Sequence, residues 1–249
     1  MSIAQNPELD QHFLNDSSAI AEIIKALTIK KQDIIVEIGA GNGALTKNIT
    51  KCKLIAIELD NRFADELKQQ NLKNVEIIQG NALELISKLQ FNKIISSTPY
   101  SICEPLTYKL FELNFDKAVL IFPEGFVKTL VEEDGKLKLF AKEFLKIKQI
   151  RKLDRSLFTP KPRVDSVAIA ITKTKKQSLL KQLYLQRDKK LKNALRESLV
   201  ILKHLTKRQA KDKADALIAK FKLNSLENKK IQAFSIEDYT AIKPILVSE

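Results

Sequence analysis

The sequence predicts an α/β fold: a mainly parallel sheet covered by helices on both faces, followed by a small helical C-terminal domain. Three observations carry this. Short β-branched runs alternate with stretches of helical spacing as far as Phe122. A glycine turn, Gly39, Gly41 and Gly43, directly follows the first of those runs. From Lys175 onward glycine is absent, and Leu183, Leu191, Leu195, Leu199, Leu202 and Leu205 recur at helical spacing with Lys and Arg between them.

Taken in order, a helix is expected over Ala19–Leu27, with Asp16, Ser17 and Ser18 offering capping side chains before it. Strands are expected over 33–38, 53–58, 75–79, 93–96 and 117–122, and helices between them over 45–50, 62–70, 83–89 and 104–113. Such alternation builds βαβ units, whose ligands sit at the carboxyl ends of the strands. Helices over 124–132 and 138–144 then lead into two more strands, 147–153 and 164–172, joined by the loop Phe158-Thr159-Pro160-Lys161-Pro162. We set a domain boundary at 175, giving a ligand-binding domain over 1–174 and a small basic helical domain over 175–249.

Composition narrows the function classes. A hydrophobic share of 44% suffices for a substantial core, and the longest apolar runs, such as Ala118–Phe122, are too short to span a bilayer. Met1 to Pro7 lack a positive start followed by an apolar stretch, so no export signal and a cytoplasmic location are expected. Cys52 and Cys103 stand far apart, with no metal-ligand spacing around them, so neither a disulfide framework nor a metal site is expected. The net charge of +13 attracts polyanions. It is concentrated late in the chain: residues 174–249 hold 18 Lys/Arg against 8 Asp/Glu.

The glycine loop, Val36-Glu37-Ile38-Gly39-Ala40-Gly41-Asn42-Gly43, leaves a strand and lets a ligand approach the backbone closely. Glu58 ends the next strand, where a carboxylate can accept from both ribose hydroxyls of an adenosine-containing cofactor. With Ala44 in the last place the loop also fits the dinucleotide pattern, so a nicotinamide oxidoreductase is a competing reading. Glu37 favours S-adenosylmethionine, because an acidic group suits a sulfonium with a charged amino-acid tail and gives a pyrophosphate nothing. Gly80-Asn81-Ala82-Leu83 ends the third strand, with Asn81 placed to hydrogen-bond the cofactor's adenine.

The fourth strand ends in Ser96-Ser97-Thr98-Pro99-Tyr100. Here the chain resembles the KsgA-type ribosomal RNA adenine dimethyltransferases and their erythromycin-resistance relatives. The resemblance runs over nearly the whole chain: Gln11-His12-Phe13-Leu14, Glu37 to Gly43, Glu58, Gly80 to Leu83, Pro99-Tyr100, Glu104-Pro105-Leu106, Phe158 to Ser166, and Lys189 to Arg196. It implies a Rossmann-like class I methyltransferase domain with a small RNA-binding helical domain. It further implies dimethylation of two adjacent adenines near the 3′ end of small-subunit ribosomal RNA and a role in ribosome biogenesis, with the pre-ribosomal particle as partner and a monomeric enzyme. The lysine- and isoleucine-rich style is more archaeal than bacterial.

By the same resemblance, His12, Leu14, Gly39, Gly41, Glu58, Asn81 and Ala82 contact the cofactor, and Ser97 is shared between cofactor and target base. An exocyclic adenine amine is a poor nucleophile, because its lone pair is delocalised into the ring. Acceptors on its hydrogens aim that lone pair at the methyl group. The family's loop reads Asn-x-Pro-aromatic, and its aromatic ring stacks on a flipped-out base. Pro99 and Tyr100 match this loop and Thr98 supplies a backbone carbonyl, so Ser97, Thr98, Pro99 and Tyr100 form the expected catalytic set. Two positions depart from the pattern: Ser97 stands for the family's Asn, and Asn81 for its Asp. They leave open a second reading, an RNA-binding assembly factor whose methylation is weakened or lost.

Overall fold

The computed structural model describes residues 11–248, so the reading of Met1 to Pro7 lies outside the described residues. The chain forms two compact units, one running to Glu133 and resuming over Leu145–Lys173, the other made of Asp134–Phe144 and the chain from Thr174 onward.

The first unit is built on a seven-stranded sheet. Its strands are β1 (Ile34–Ile38), β2 (Lys53–Glu58), β3 (Val75–Gln79), β4 (Lys93–Ser97), β5 (Lys117–Pro123), β6 (Leu145–Leu153) and β7 (Ser166–Lys173). Their order is β3-β2-β1-β4-β5-β7-β6, with the first five parallel and β7 antiparallel to both its neighbours. The chain starts in the middle, winds outward to β3, then returns to lay β4 on the other side of β1. That reversal opens a crevice at the carboxyl ends of β1 and β4.

Local chemistry accounts for the elements. Ile35, Val36, Ile38, Leu54, Ile57, Ile94 and Ile95 are all nearly inaccessible, as continuous apolar runs become when a parallel sheet is covered on both faces. On the edge strand β6, Lys146 and Lys148 line the solvent side and a bulge interrupts pairing between Gln149 and Arg151, features that discourage edge-to-edge association. Helix α1 (Ser17–Ala26) is capped by Asp16, whose carboxylate accepts from the Ala19 amide at 2.6 Å. Its Ala19, Ile20 and Ile23 join one apolar cluster with Ile35, Leu54, Ile95 and Val119. Truncating Ile23 to Ala there would cost about 2–5 kcal/mol. Helices α2 (Asn61–Gln69), α3 (Ala82–Leu85), α4 (Cys103–Glu112) and α5 (Glu124–Val131) follow their strands as expected.

The stretch expected to be helical over 45–50 is instead a single 3-10 turn, Thr46–Asn48. Only four residues separate Asn48 from β2, and the Thr46 hydroxyl is turned inward onto Glu37, so a longer helix has neither the length nor the free face it needs.

The second unit holds α6 (Lys136–Phe144), α7 (Leu179–Leu185), α8 (Leu191–Lys203), α9 (Lys207–Lys220) and α10 (Ile236–Ser248). The boundary read at 175 leaves α6 on the wrong side. Phe140 lies 4.6 Å from Tyr184 and 5.2 Å from Tyr239 between ring centroids, and Phe144 packs on Tyr184 as well. These edge-on and tilted aromatic contacts make α6 part of the helical unit's core. Among the described residues no helix is long and apolar enough to cross a membrane.

Candidate cofactor and target-base site

A cleft opens at the carboxyl ends of β1 to β4. A loop with three glycines, of which Gly39 and Gly41 line the cleft, forms its floor. Gly39, Gly41 and Gly43 hold φ of +70°, +52° and +79°, a region that side chains other than glycine rarely adopt. Gly41 is also tightly approached: a Cβ there would lie 2.6 Å from the Phe13 ring, whereas one on Gly39 would meet Pro99 at an ordinary contact distance of 3.4 Å. The loop therefore turns sharply between the N-terminal segment and the loop after β4.

Glu58 fixes that turn. One carboxylate oxygen accepts from the Gly41 amide at 2.7 Å and the other from the Asp60 amide at 2.8 Å. Each oxygen keeps a second lone pair for a donor in the cleft. Burial pushes the Glu58 carboxyl above its usual range, against the pull of those backbone amides. Asp60 is held down, to about 2, mainly by the Arg62 guanidinium on it. Glu37 is only 1% exposed, and burial raises its carboxyl to about 8, although the Thr46 hydroxyl donates to it at 2.7 Å. A buried carboxyl lining a cleft in this state fits a cationic ligand, which would favour its ionised form.

Asn81 caps α3, its side-chain carbonyl accepting from the Leu83 amide at 3.0 Å while its amide donates to Glu84. Ala82 follows it on the wall. Across the cleft, the Ser96 hydroxyl donates to the Ile38 carbonyl at 2.7 Å, tying the end of β4 to the end of β1 and setting Ser97 beside the glycine loop. The N-terminal segment closes the third side. Phe13 and Leu14 pair antiparallel with Phe158 and Thr159, and His12 Nδ1 lies 2.8 Å from the Pro160 carbonyl.

The structure thus gathers His12, Leu14, Glu37, Gly39, Gly41, Glu58, Asn81, Ala82, Ser97 and Pro99 around one cleft. Thr98 and Tyr100 do not line it. The Thr98 hydroxyl is buried and has no hydrogen-bond partner. The Tyr100 hydroxyl lies 2.8 Å from Ser166 Oγ, and its ring centroid lies 5.8 Å from that of His12. Phe140 and Phe144 are buried, Phe126 is half-buried against Phe122, and His204 is exposed at the end of α8. Lys161 and Arg163 are exposed on the loop before β7.

Sequence reasoning missed Leu59, Thr46 and the role of Ser166. Leu59 is 53% exposed on the cleft rim directly after Glu58, an exposure that only the fold reveals. No spacing marks Thr46 as the partner of Glu37. Ser166 belongs to the quoted motif, but only the fold brings it to Tyr100. Among the described residues no group of three or more His, Cys, Asp or Glu is arranged to hold a metal.

Comparison with known proteins agrees with this geometry. Residues 3–244 match the family described as ribosomal RNA adenine dimethylase. The chain is 36% identical to the probable ribosomal RNA small subunit methyltransferase A of Pyrococcus furiosus over 206 residues, covering 77% of this chain and 75% of that one. It is 34% identical to the protein of the same description from Thermococcus sibiricus, over 100% of this chain and 94% of the other. Among solved structures, a dimethyladenosine transferase from Plasmodium falciparum superposes with a TM-score of 0.64 at 24% identity, over 94% of this chain and 97% of that one. The 23S rRNA methyltransferase ErmE superposes with 0.61 at 18% identity, over 94% and 99%. These last two likenesses concern the fold.

Proposed function

Because the chain belongs to the ribosomal RNA adenine dimethylase family, we propose that it transfers methyl groups to the N6 amine of adenines in small-subunit ribosomal RNA. The observation that carries this reading is that the glycine loop and the Ser97-to-Pro99 loop open on one cleft, with buried Glu37 and Glu58 between them.

The residues fit S-adenosylmethionine, which when bound supplies an electrophilic methyl group on a sulfonium. Glu58 would accept from the ribose hydroxyls with the lone pairs that Gly41 and Asp60 leave to it. Leu59 and Ala82 would flank the adenine, and Asn81 would accept from its amine beside the bond it makes to α3. Glu37, raised by burial, would counter the cationic tail, whereas it would repel the pyrophosphate of a nicotinamide dinucleotide.

For the target base, the Ser97 hydroxyl would accept one hydrogen of the adenine amine and the Thr98 carbonyl the other. This localises the lone pair on nitrogen. Tyr100 would stack on the base once it leaves the RNA helix, its ring held by Ser166 and His12. Ser97 reaches less far than an Asn would, so its hydrogen bond would set the rate of transfer more than the affinity for RNA.

We further propose that the pre-ribosomal small subunit is the partner and that the chain acts as a monomer in the cytoplasm. One chain supplies every wall of the cleft, and both cysteines are free thiols, as a reducing compartment keeps them. The test is calorimetry with S-adenosylmethionine and with NAD, followed by incubation with unmodified small-subunit particles and labelled methyl donor. Micromolar binding of S-adenosylmethionine and label in the RNA are expected. Binding of NAD alone would overturn the cofactor reading, and cofactor and RNA binding without label would point to an assembly factor.

A further inference from the structure

Asn81 brings a side chain with two unlike ends to the cleft: Oδ1 only accepts hydrogen bonds and Nδ2 only donates them. An Asp, the residue of the family pattern here, presents two acceptors and serves in either orientation. An Asn serves an adenine amine only with its oxygen toward it, because the reversed amide sets N–H against N–H. Asn at this position therefore has to be oriented, and the structure orients it from both ends.

At one end, the Leu83 amide donates to Oδ1 at 3.0 Å. At the other, Nδ2 donates to Glu84 Oε1 at 3.0 Å. A backbone N–H cannot accept and a carboxylate only accepts, so both neighbours exclude the reversed amide. The turn that carries the pair is itself fixed: the Gly80 amide donates to the Glu58 carbonyl at 2.8 Å, and the Glu84 and Leu85 amides both donate to the Asn81 carbonyl at 3.1 Å. Asn81 is thereby registered on the strand that ends in Glu58. Glu84 is exposed and does not line the cleft, so whatever it does for a ligand it does through Asn81. Its charge also polarises the Asn81 amide, which makes the amide oxygen a stronger acceptor and returns part of the negative charge that an Asp would hold.

We infer that Glu84 is a positioning residue of the cofactor site: it holds the Asn81 amide with its oxygen toward the adenine, and so selects a purine with an amine at position 6 over one with a carbonyl there. The inference rests on the cofactor reading above, in which Asn81 meets the adenine. Glu84 is also an acid in the first turn of α3, where it supports the turn. That support is blind to which purine is bound and to whether residue 81 is an amide or an acid, and the two roles separate on those grounds.

The experiment uses the full chain and the variants Glu84→Ala, Asn81→Asp and Asn81→Asp/Glu84→Ala, with Kd measured by calorimetry for S-adenosylmethionine, S-adenosylhomocysteine and S-inosylhomocysteine. The last carries a carbonyl in place of the purine's 6-amine. Alanine keeps helix propensity at position 84. Glu84→Ala is expected to raise the Kd of both adenosyl ligands by about 3- to 10-fold and to narrow the preference for S-adenosylhomocysteine over S-inosylhomocysteine by a similar factor. The preference compares two ligands on the same folded fraction, so it stands even where the variant is less stable. In the Asn81→Asp background the same substitution is expected to leave the Kd of the adenosyl ligands unchanged or to lower it, since a carboxylate needs no orientation and is relieved of a like charge. Wild-type affinities and preference in Glu84→Ala would overturn this inference alone. Equal losses in the two backgrounds would leave Glu84 as a support of the turn and overturn it too. A wild-type chain that binds neither adenosyl ligand would overturn the cofactor reading, and this inference with it.

Discussion

The Tyr100 hydroxyl lies 2.8 Å from Ser166 Oγ, and Ser166 is wholly buried at the start of β7, paired to Pro123 on one side and Leu153 on the other. The aromatic ring of the loop after β4 is therefore oriented from the antiparallel half of the sheet. A hydrogen bond of this kind contributes about 0.5–1.5 kcal/mol. Ser166→Ala and Tyr100→Phe are each expected to lower kcat/KM for RNA by roughly 3- to 10-fold, and the double variant by no more than either alone. Fully additive losses would mean that the two hydroxyls act separately.

With Glu37 at the cofactor's cationic tail, as proposed, cofactor affinity is expected to depend on pH. Its carboxyl is raised to about 8 by burial, from an ordinary value of 4.5, so the folded protein holds a proton there that the unfolded chain has lost. Its contribution to stability is therefore full below about pH 4.5 and is lost as pH rises towards about 8. A cationic ligand reverses this by favouring the ionised form. S-adenosylmethionine binding is thus expected to release a proton at pH 7, measurable by calorimetry in buffers of different ionisation enthalpy. Glu37→Gln should remove that release and weaken binding at pH 8, and an undiminished release in the variant would contradict the assignment.

Gly41 is required for two reasons that one substitution tests. At φ +52° an alanine is strained, and its Cβ would lie 2.6 Å from the Phe13 ring, so the amide that holds Glu58 must move. Gly41→Ala is expected to raise the cofactor Kd by tenfold or more, about 1.4 kcal/mol. Gly125→Ala, where a Cβ meets nothing within 4 Å, should leave it unchanged.

Far from the cleft, Asp33 and Lys93 form a buried ion pair at 2.6 Å, with Asn92 donating to Asp33 and Lys93 donating to the Thr28 carbonyl. Burial alone would raise Asp33, but Lys93 and Asn92 hold it down at about 2. Its stabilising contribution is present above about pH 4 and is lost as pH falls towards 2. Asp33→Asn leaves a buried ammonium unpaired and is expected to cost about 3–5 kcal/mol in urea denaturation at pH 7. A loss under 1 kcal/mol would show that water or a shifted Lys93 relieves the charge.

The parallel strands were legible because burial on both faces leaves unbroken runs such as Lys53–Glu58 and Lys117–Pro123, whose ends the structure meets within a residue. The cleft residues were legible where a strand end fixes them, as with Glu58, Asn81 and Ser97. Contacts across the sequence were not. Thr46 reaches Glu37 only because the chain after the glycine loop is too short for a helix, and Ser166 reaches Tyr100 only because β7 inserts between β5 and β6. The place of α6 was hidden for the same reason: its apolar face meets Tyr184 and Tyr239, which lie far along the chain.

The most direct test of the methylating site is nucleoside mass spectrometry on small-subunit ribosomal RNA after incubation of unmodified particles with the protein and S-adenosylmethionine. N6,N6-dimethyladenine is expected with the wild-type chain, with losses of about 100-fold or more in rate for Glu58→Ala at limiting cofactor and for Tyr100→Ala at saturating cofactor, each about 2.7 kcal/mol. Methyl groups on ribose or on other bases, or unmethylated adenine despite bound cofactor and RNA, would contradict it.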